Sequence, residues 1–229
     1  MKTQRGFTLI ELLLALALMA VLAGLSWRGL DGLVRTRDVT QQQVTQTAIV
    51  QTVLAQWHAD LDAMLPVAQI NDAGVSWDGQ VLRITRRSSA QRSDGKDPGL
   101  WVVAWTRKAS NAIEGNQGQW MRWQSPPLHD RSAVNLAWIQ AKQWGENTSS
   151  NDTAHETLLL ELTQWQLTYF RDNAWTNPLS SDGKTNSNDP ANTTTPDAIR
   201  LILDLPPHHR LAGRLTLDWV RPNFSNTKS

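Results

Sequence analysis

The chain contains no cysteine. Disulfides, thiolate metal sites and cysteine nucleophiles are therefore excluded, although an oxidising compartment is not. Tyr and Phe are scarce, at one and three residues, while Trp reaches twelve. A charge excess is missing too: 22 basic side chains stand against 21 acidic ones, with no basic run. Nothing in that balance attracts nucleic acid. The sequence also lacks G-x-S-x-G, H-E-x-x-H and P-loop motifs. With no catalytic constellation to name, a non-enzymatic protein with no catalytic residues and no cofactor is expected. At 229 residues the chain is long enough for one or two domains with a sizeable core.

What is present is a long apolar run. Residues 7–25 read FTLIELLLALALMAVLAGL, with Glu11 as the single charge before Arg28. About 20 helical residues span roughly 30 Å, the hydrocarbon thickness of a bilayer. Lys2 and Arg5 precede the run and Trp27 follows it. This flanking predicts a cytoplasmic N-terminus and an interfacial Trp at the far side. A secretory signal peptide would need a small-residue cleavage site, but Ala15-Leu16-Ala17 lies in mid-run. A plain signal anchor accounts for the length but not for Glu11, because a carboxylate inside a bilayer helix is costly and by default functional.

Residues 5–12, RGFTLIEL, resemble the prepilin motif G-F-T-L-x-E of the type IV pilin-like superfamily. The resemblance implies cleavage after Gly6 by a membrane prepilin peptidase and N-methylation of the new N-terminal Phe7. It implies that Glu11 meets the terminal amine of a neighbouring subunit in a filament and so fixes register. Gly6 suits an extended backbone with no side chain in the peptidase. The domain organisation expected is a leader at 1–6, a transmembrane helix at 7–27, its continuation at 28–65, and a β-rich periplasmic head at 66–229.

Beyond the membrane the spacing of Leu30, Leu33, Val34, Val44, Ala48, Trp57, Leu61 and Leu65 is helical. One long helix to about Leu65 is predicted, with a kink near Gly29 to Gly32, and Pro66 stopping it. The Gln- and Thr-rich stretch 40–47 is a weaker helix former, so Asp38 or Thr40 could instead cap a fresh helix. Trp57 and Leu61 are expected in the core. After Pro66 the period moves toward two. Residues 81–85, 100–106, 119–123, 156–170, 198–205 and 213–220 read as strands. Residues 133–140 fit a strand or a short helix. Polar segments at 86–99, 145–154 and 179–195 read as loops. The fold class expected is α+β and pilin-like: a long N-terminal helix packed on an antiparallel β head of two sheets.

Two further stretches resemble the minor pseudopilin J family of type II secretion systems. One is Trp27-Arg28-Gly29-Leu30-Asp31. The other is the C-terminal third, with an aromatic pair at Tyr169-Phe170, an acidic turn at 171–173, Trp175, then Pro196 to Leu201 and a last strand from Gly213. That resemblance implies a tip component of a periplasmic filament. Its partners would be minor pseudopilins I and K, the major pseudopilin, the prepilin peptidase and the inner membrane. The filament would support export of folded proteins across the outer membrane. In that superfamily the K type lacks the motif's Glu, so Glu11 favours J. A minor pilin of a type IV pilus or competence filament is the alternative of the same class.

Other chemistry is weaker. His155-Glu156 and His208-His209 are the best metal candidates. Adjacent His side chains on a strand point to opposite faces, although on a turn after Pro206-Pro207 both could reach one ion. No third ligand is evident and no metal site is assigned. Residues 182–189 offer oxygen ligands without EF-hand spacing. The Trp content raises a last alternative, a ligand-binding periplasmic domain on a signal anchor. Trp101, Trp105, Trp165 and Trp219 sit in strand patterns that suit a core. Trp144 and Trp175 are the better surface candidates.

Overall fold

The computed structural model describes residues 8–70, 72–88, 99–109, 117–147, 154–180, 195–209 and 211–222. The chain divides into two compact units, Met1–Ile49 and Val50–Ser229.

Helix α1 runs from Leu9 to Asp62 without a break. It passes through Gly24, Gly29 and Gly32 as one continuous helix, as expected, and no fresh start at Asp38 or Thr40 occurs. In the polar stretch the side-chain hydroxyls turn back onto the helix. Hydroxyls of Thr36, Thr40, Thr45 and Thr47 each donate to the carbonyl four residues back, at 2.9 Å. Thr40 thus bonds backwards instead of capping. Asp31 and Arg35 add an i,i+4 ion pair at 3.1 Å.

The second unit holds two antiparallel sheets, so the architecture is α+β and pilin-like. Strands β1 (Val75–Trp77), β2 (Val81–Arg87), β3 (Leu100–Ala109), β4 (Gly118–Gln124) and β5 (Glu156–Leu162) form the first sheet in that order. Strands β6 (Gln164–Arg171), β7 (Ala174–Thr176), β8 (Ala198–Leu205) and β9 (Gly213–Val220) form the second, ordered β7-β6-β8-β9. Residues 156–170, read from sequence as one strand, are two strands on different sheets. Thr163 is the corner: its N–H and hydroxyl both donate to the Asp204 carbonyl at 2.9 Å. The inward positions change parity across it, from Leu160 and Leu162 to Leu167 and Tyr169. Helix α2 (Arg131–Glu146) resolves the ambiguity at 133–140. Asp130 caps it, accepting from the Ala133 N–H at 2.7 Å.

Period-two alternation puts two different cores on the first sheet. One face carries Leu82, Ile84, Val103, Trp105 and Trp120. These pack with Val50, Val53, Trp57 and Leu61 of α1 and with Leu167, Ile199, Leu201, Leu203 and Trp219 of the second sheet. The other face carries Val81, Val102, Ala104, Met121 and Trp123 beneath α2. Gly145 lets α2 come down: a Cβ there would meet Val81 Cγ2 at 2.1 Å.

Candidate assembly site and the grip on the helix

Gly6 and Phe7 lie outside the described residues. From Thr8 onward the geometry is defined. The Thr8 N–H and hydroxyl donate to Glu11 Oε2 at 3.0 and 2.8 Å, and the Glu11 N–H reaches back to Thr8 Oγ1 at 3.4 Å. This is a reciprocal capping box, satisfying donors that the first helical turn leaves without intrahelical partners. Sequence reasoning assigned Glu11 to assembly and overlooked this second job, although Thr-x-x-Glu before an apolar run is its signature. Within α1, the side chains from Leu9 to Leu25 are exposed throughout. Trp27 is 77% exposed. At about 1.5 Å per residue this stretch is long enough and apolar enough to cross a membrane.

The end of α1 inside the second unit is built differently. Asp60 is completely buried. Its carboxylate accepts from Arg122 Nε at 2.7 Å and Nη2 at 2.9 Å, from Trp105 Nε1 at 2.9 Å, from Gln56 Nε2 at 2.9 Å, and from Arg86 Nη1. Strands β2, β3 and β4 thus each send a donor to one helical acid. Two residues on, Asp62 Oδ1 accepts from Trp219 Nε1 of β9 at 2.7 Å. A carboxylate in the last helical turn opposes the helix dipole, and that turn has no basic residue of its own. The strand arginines supply the compensation. This junction was not foreseen, but its signal is in the sequence. Asp60 falls three residues after Trp57 on the apolar stripe, and Arg86 and Arg122 continue the core-facing alternation of Leu82-Ile84 and Trp120.

The Trp residues are mostly core. Trp57, Trp105, Trp120 and Trp165 form one cluster with centroid separations of 4.7 to 6.5 Å, and Trp77 joins through Trp165 at 4.8 Å. Trp144 is not at the surface as expected. It is 4% exposed and donates to Glu156 Oε2 at 2.8 Å, with the Lys108 ammonium 4.4 Å over its ring. The close approach of α2 at Gly145 explains this burial. Trp175 is exposed as expected, and the Arg200 guanidinium stacks on it at 4.2 Å. Of the metal candidates, His208 Nε2 lies 2.8 Å from Glu161 Oε2, and His209 Nδ1 accepts from the Leu211 N–H. Glu156 is held by Lys108 and Trp144. Among the described residues no three His, Asp or Glu side chains converge as ligands. The 182–189 segment lies outside them.

A long helix whose first part is apolar and exposed, followed in the chain by two antiparallel sheets, is a pilin-like α+β architecture, and the apolar stretch fits a single-pass membrane anchor. The N-terminus is similar to known proteins in one respect: the prokaryotic N-terminal methylation motif matches residues 1–27. That motif implies processing by prepilin peptidase and pilus-like assembly from the inner membrane. No curated protein matches the chain.

Proposed function

We propose that this chain is a minor pseudopilin of a type II secretion system, of the J type. It would act without catalysis, as a tip component of a periplasmic pseudopilus. The observation that carries the reading is the prepilin motif with Glu11 intact on a two-sheet α+β head. The sequence resemblances at residues 27–31 and in the C-terminal third point to J within that class. Minor pseudopilins I and K and the major pseudopilin are the expected partners, with the head periplasmic.

Intact mass of the membrane-extracted protein tests the processing, with loss of residues 1–6 and gain of one methyl expected. Retention of Met1 to Gly6 would sink the pilin-like reading. Co-purification with the I and K heads tests the assignment to J, and failure to bind either overturns it. Glu11→Ala should leave cleavage intact and reduce incorporation into the filament, read by cross-linking to the major pseudopilin. Normal incorporation would remove Glu11 from assembly. Loss of twitching or DNA uptake with secretion unaffected, on deleting the gene, would favour the type IV pilus alternative.

A further inference from the structure

β1 and the β6–β7 hairpin border a cleft of about 330 Å³. Its lining includes Ser76, Trp77, Tyr169, Arg171, Asp72 and Pro178. Asp172 and Asn173 form the hairpin turn, both at positive φ, 48° and 66°, as a two-residue type I′ connection requires. The turn leaves Arg171 as the last residue of β6, with the same parity as Leu167 and Tyr169. Arg171 therefore faces the sheet interior side, and its guanidinium lies 4.9 Å over the Tyr169 ring.

Two polar atoms here are unsatisfied. Tyr169 is 2% exposed, and its hydroxyl has no hydrogen-bond partner. Arg171 Nε is buried and equally unpartnered. No carboxylate among the described residues forms an ion pair with Arg171, unlike Arg200 and Arg214 on the same sheet and Arg221 just after it. Asp72 on the rim accepts from the Gln69 N–H at 3.0 Å. Burial pushes the Tyr169 phenol well above its usual value, and the nearby Arg171 charge only partly opposes that. It therefore stays protonated and able to donate. A buried donor left unpaired is costly, and a folded protein retains such groups where something else satisfies them.

We propose that this cleft binds a carboxylate, with the Arg171 guanidinium as its charge partner and the Tyr169 hydroxyl as a second donor. Guanidinium and carboxylate match in a planar, two-point geometry. Trp77, Val75 and Pro178 provide apolar wall for the carbon next to the acid. The acid is either a side chain of another protein or a free organic acid. This site is independent of the assignment to a secretion system.

The test is calorimetric titration of the full-length protein in detergent with three probes: succinate, N-acetyl-aspartate N-methylamide, and inorganic phosphate. Binding of a carboxylate probe, weakened roughly tenfold or more by Arg171→Gln and less by Arg171→Lys, supports the proposal. Tighter binding of the peptide-like probe identifies a protein acid, and tighter succinate a free one. Tyr169→Phe separates site from scaffold: it should weaken binding severalfold while thermal stability holds or rises. Absence of binding by both carboxylates overturns the proposal. So does phosphate binding as tightly as either, and so does Tyr169→Phe lowering stability with affinity unchanged.

Discussion

The two stretches of α1 obey opposite rules. From Leu9 to Ile49 no side chain is buried, although large apolar residues such as Leu12, Leu33 and Val44 are more than half exposed. From Val50 onward, Val50, Val53, Trp57, Asp60 and Leu61 are all buried. The first stretch closes its polar groups locally, through the Thr8–Glu11 cap and the Thr back-bonds. It leaves its apolar surface to other molecules. The second gives both apolar and charged groups to its own head. The difference teaches that one continuous helix serves two solvents, and that the side chains it buries lie in the second stretch.

Asp60→Ala tests that division most severely. It would leave two guanidinium groups buried without their anion, at a cost of about 3–5 kcal/mol. The urea midpoint of the head, followed by Trp fluorescence, should fall accordingly. Cleavage of the leader should be unchanged, since the capping box and apolar run are untouched. Unchanged head stability would show that the Asp60 junction does not hold the helix end. Trp219→Phe is the next test. It keeps an aromatic ring in the core but removes the donor to Asp62, a hydrogen bond to a charged group. Because Asp62 is exposed and rehydrates, a loss of roughly 1–3 kcal/mol is expected in the same measurement. A loss as large as that of Asp60→Ala would mean that the two sheets grip the helix equally.

The same contrast explains what could be read from the sequence. The apolar run with its Glu needed no tertiary information, because the membrane acts on each residue directly. Strands β2, β3, β4, β8 and β9 were legible because alternation survives in them: Ile199, Leu201, Leu203 and Leu205 are inward on β8, and Leu215, Leu217 and Trp219 share one side of β9. The corner at Thr163 was missed because both flanking strands alternate, and only the parity shift marks it. β1 and β7 were missed because three residues carry no period. The surface expectation for Trp144 failed because burial there depends on Gly145 meeting Val81, a contact between residues 64 positions apart in sequence. The Asp60 junction joins four elements, and alternation places its arginines on the right face without naming their partner.

The outer face of the second sheet gives the smallest expected effect and the sharpest contrast with Asp60. Arg200 pairs with Asp218 through two bonds of 2.7 Å, and Arg214 with Asp204 at 2.8 and 3.0 Å, each directly across the β8–β9 register. The side-chain bonds from the arginines hold both carboxyls below the ordinary carboxylate value, against a smaller opposing effect of desolvation. For a depressed acid, the stabilisation is fully present above its unfolded value, near 4. It is lost as pH falls through the lower folded value. Acidification below about pH 4 should therefore loosen β9. The pairs are solvent-exposed, so the change should be small and should shrink further as salt rises. Replacing Arg200 and Arg214 by Gln should leave the urea midpoint at neutral pH nearly unchanged and flatten its dependence on acid. A steep acid loss that persists in this variant would show that these outer pairs are not its source.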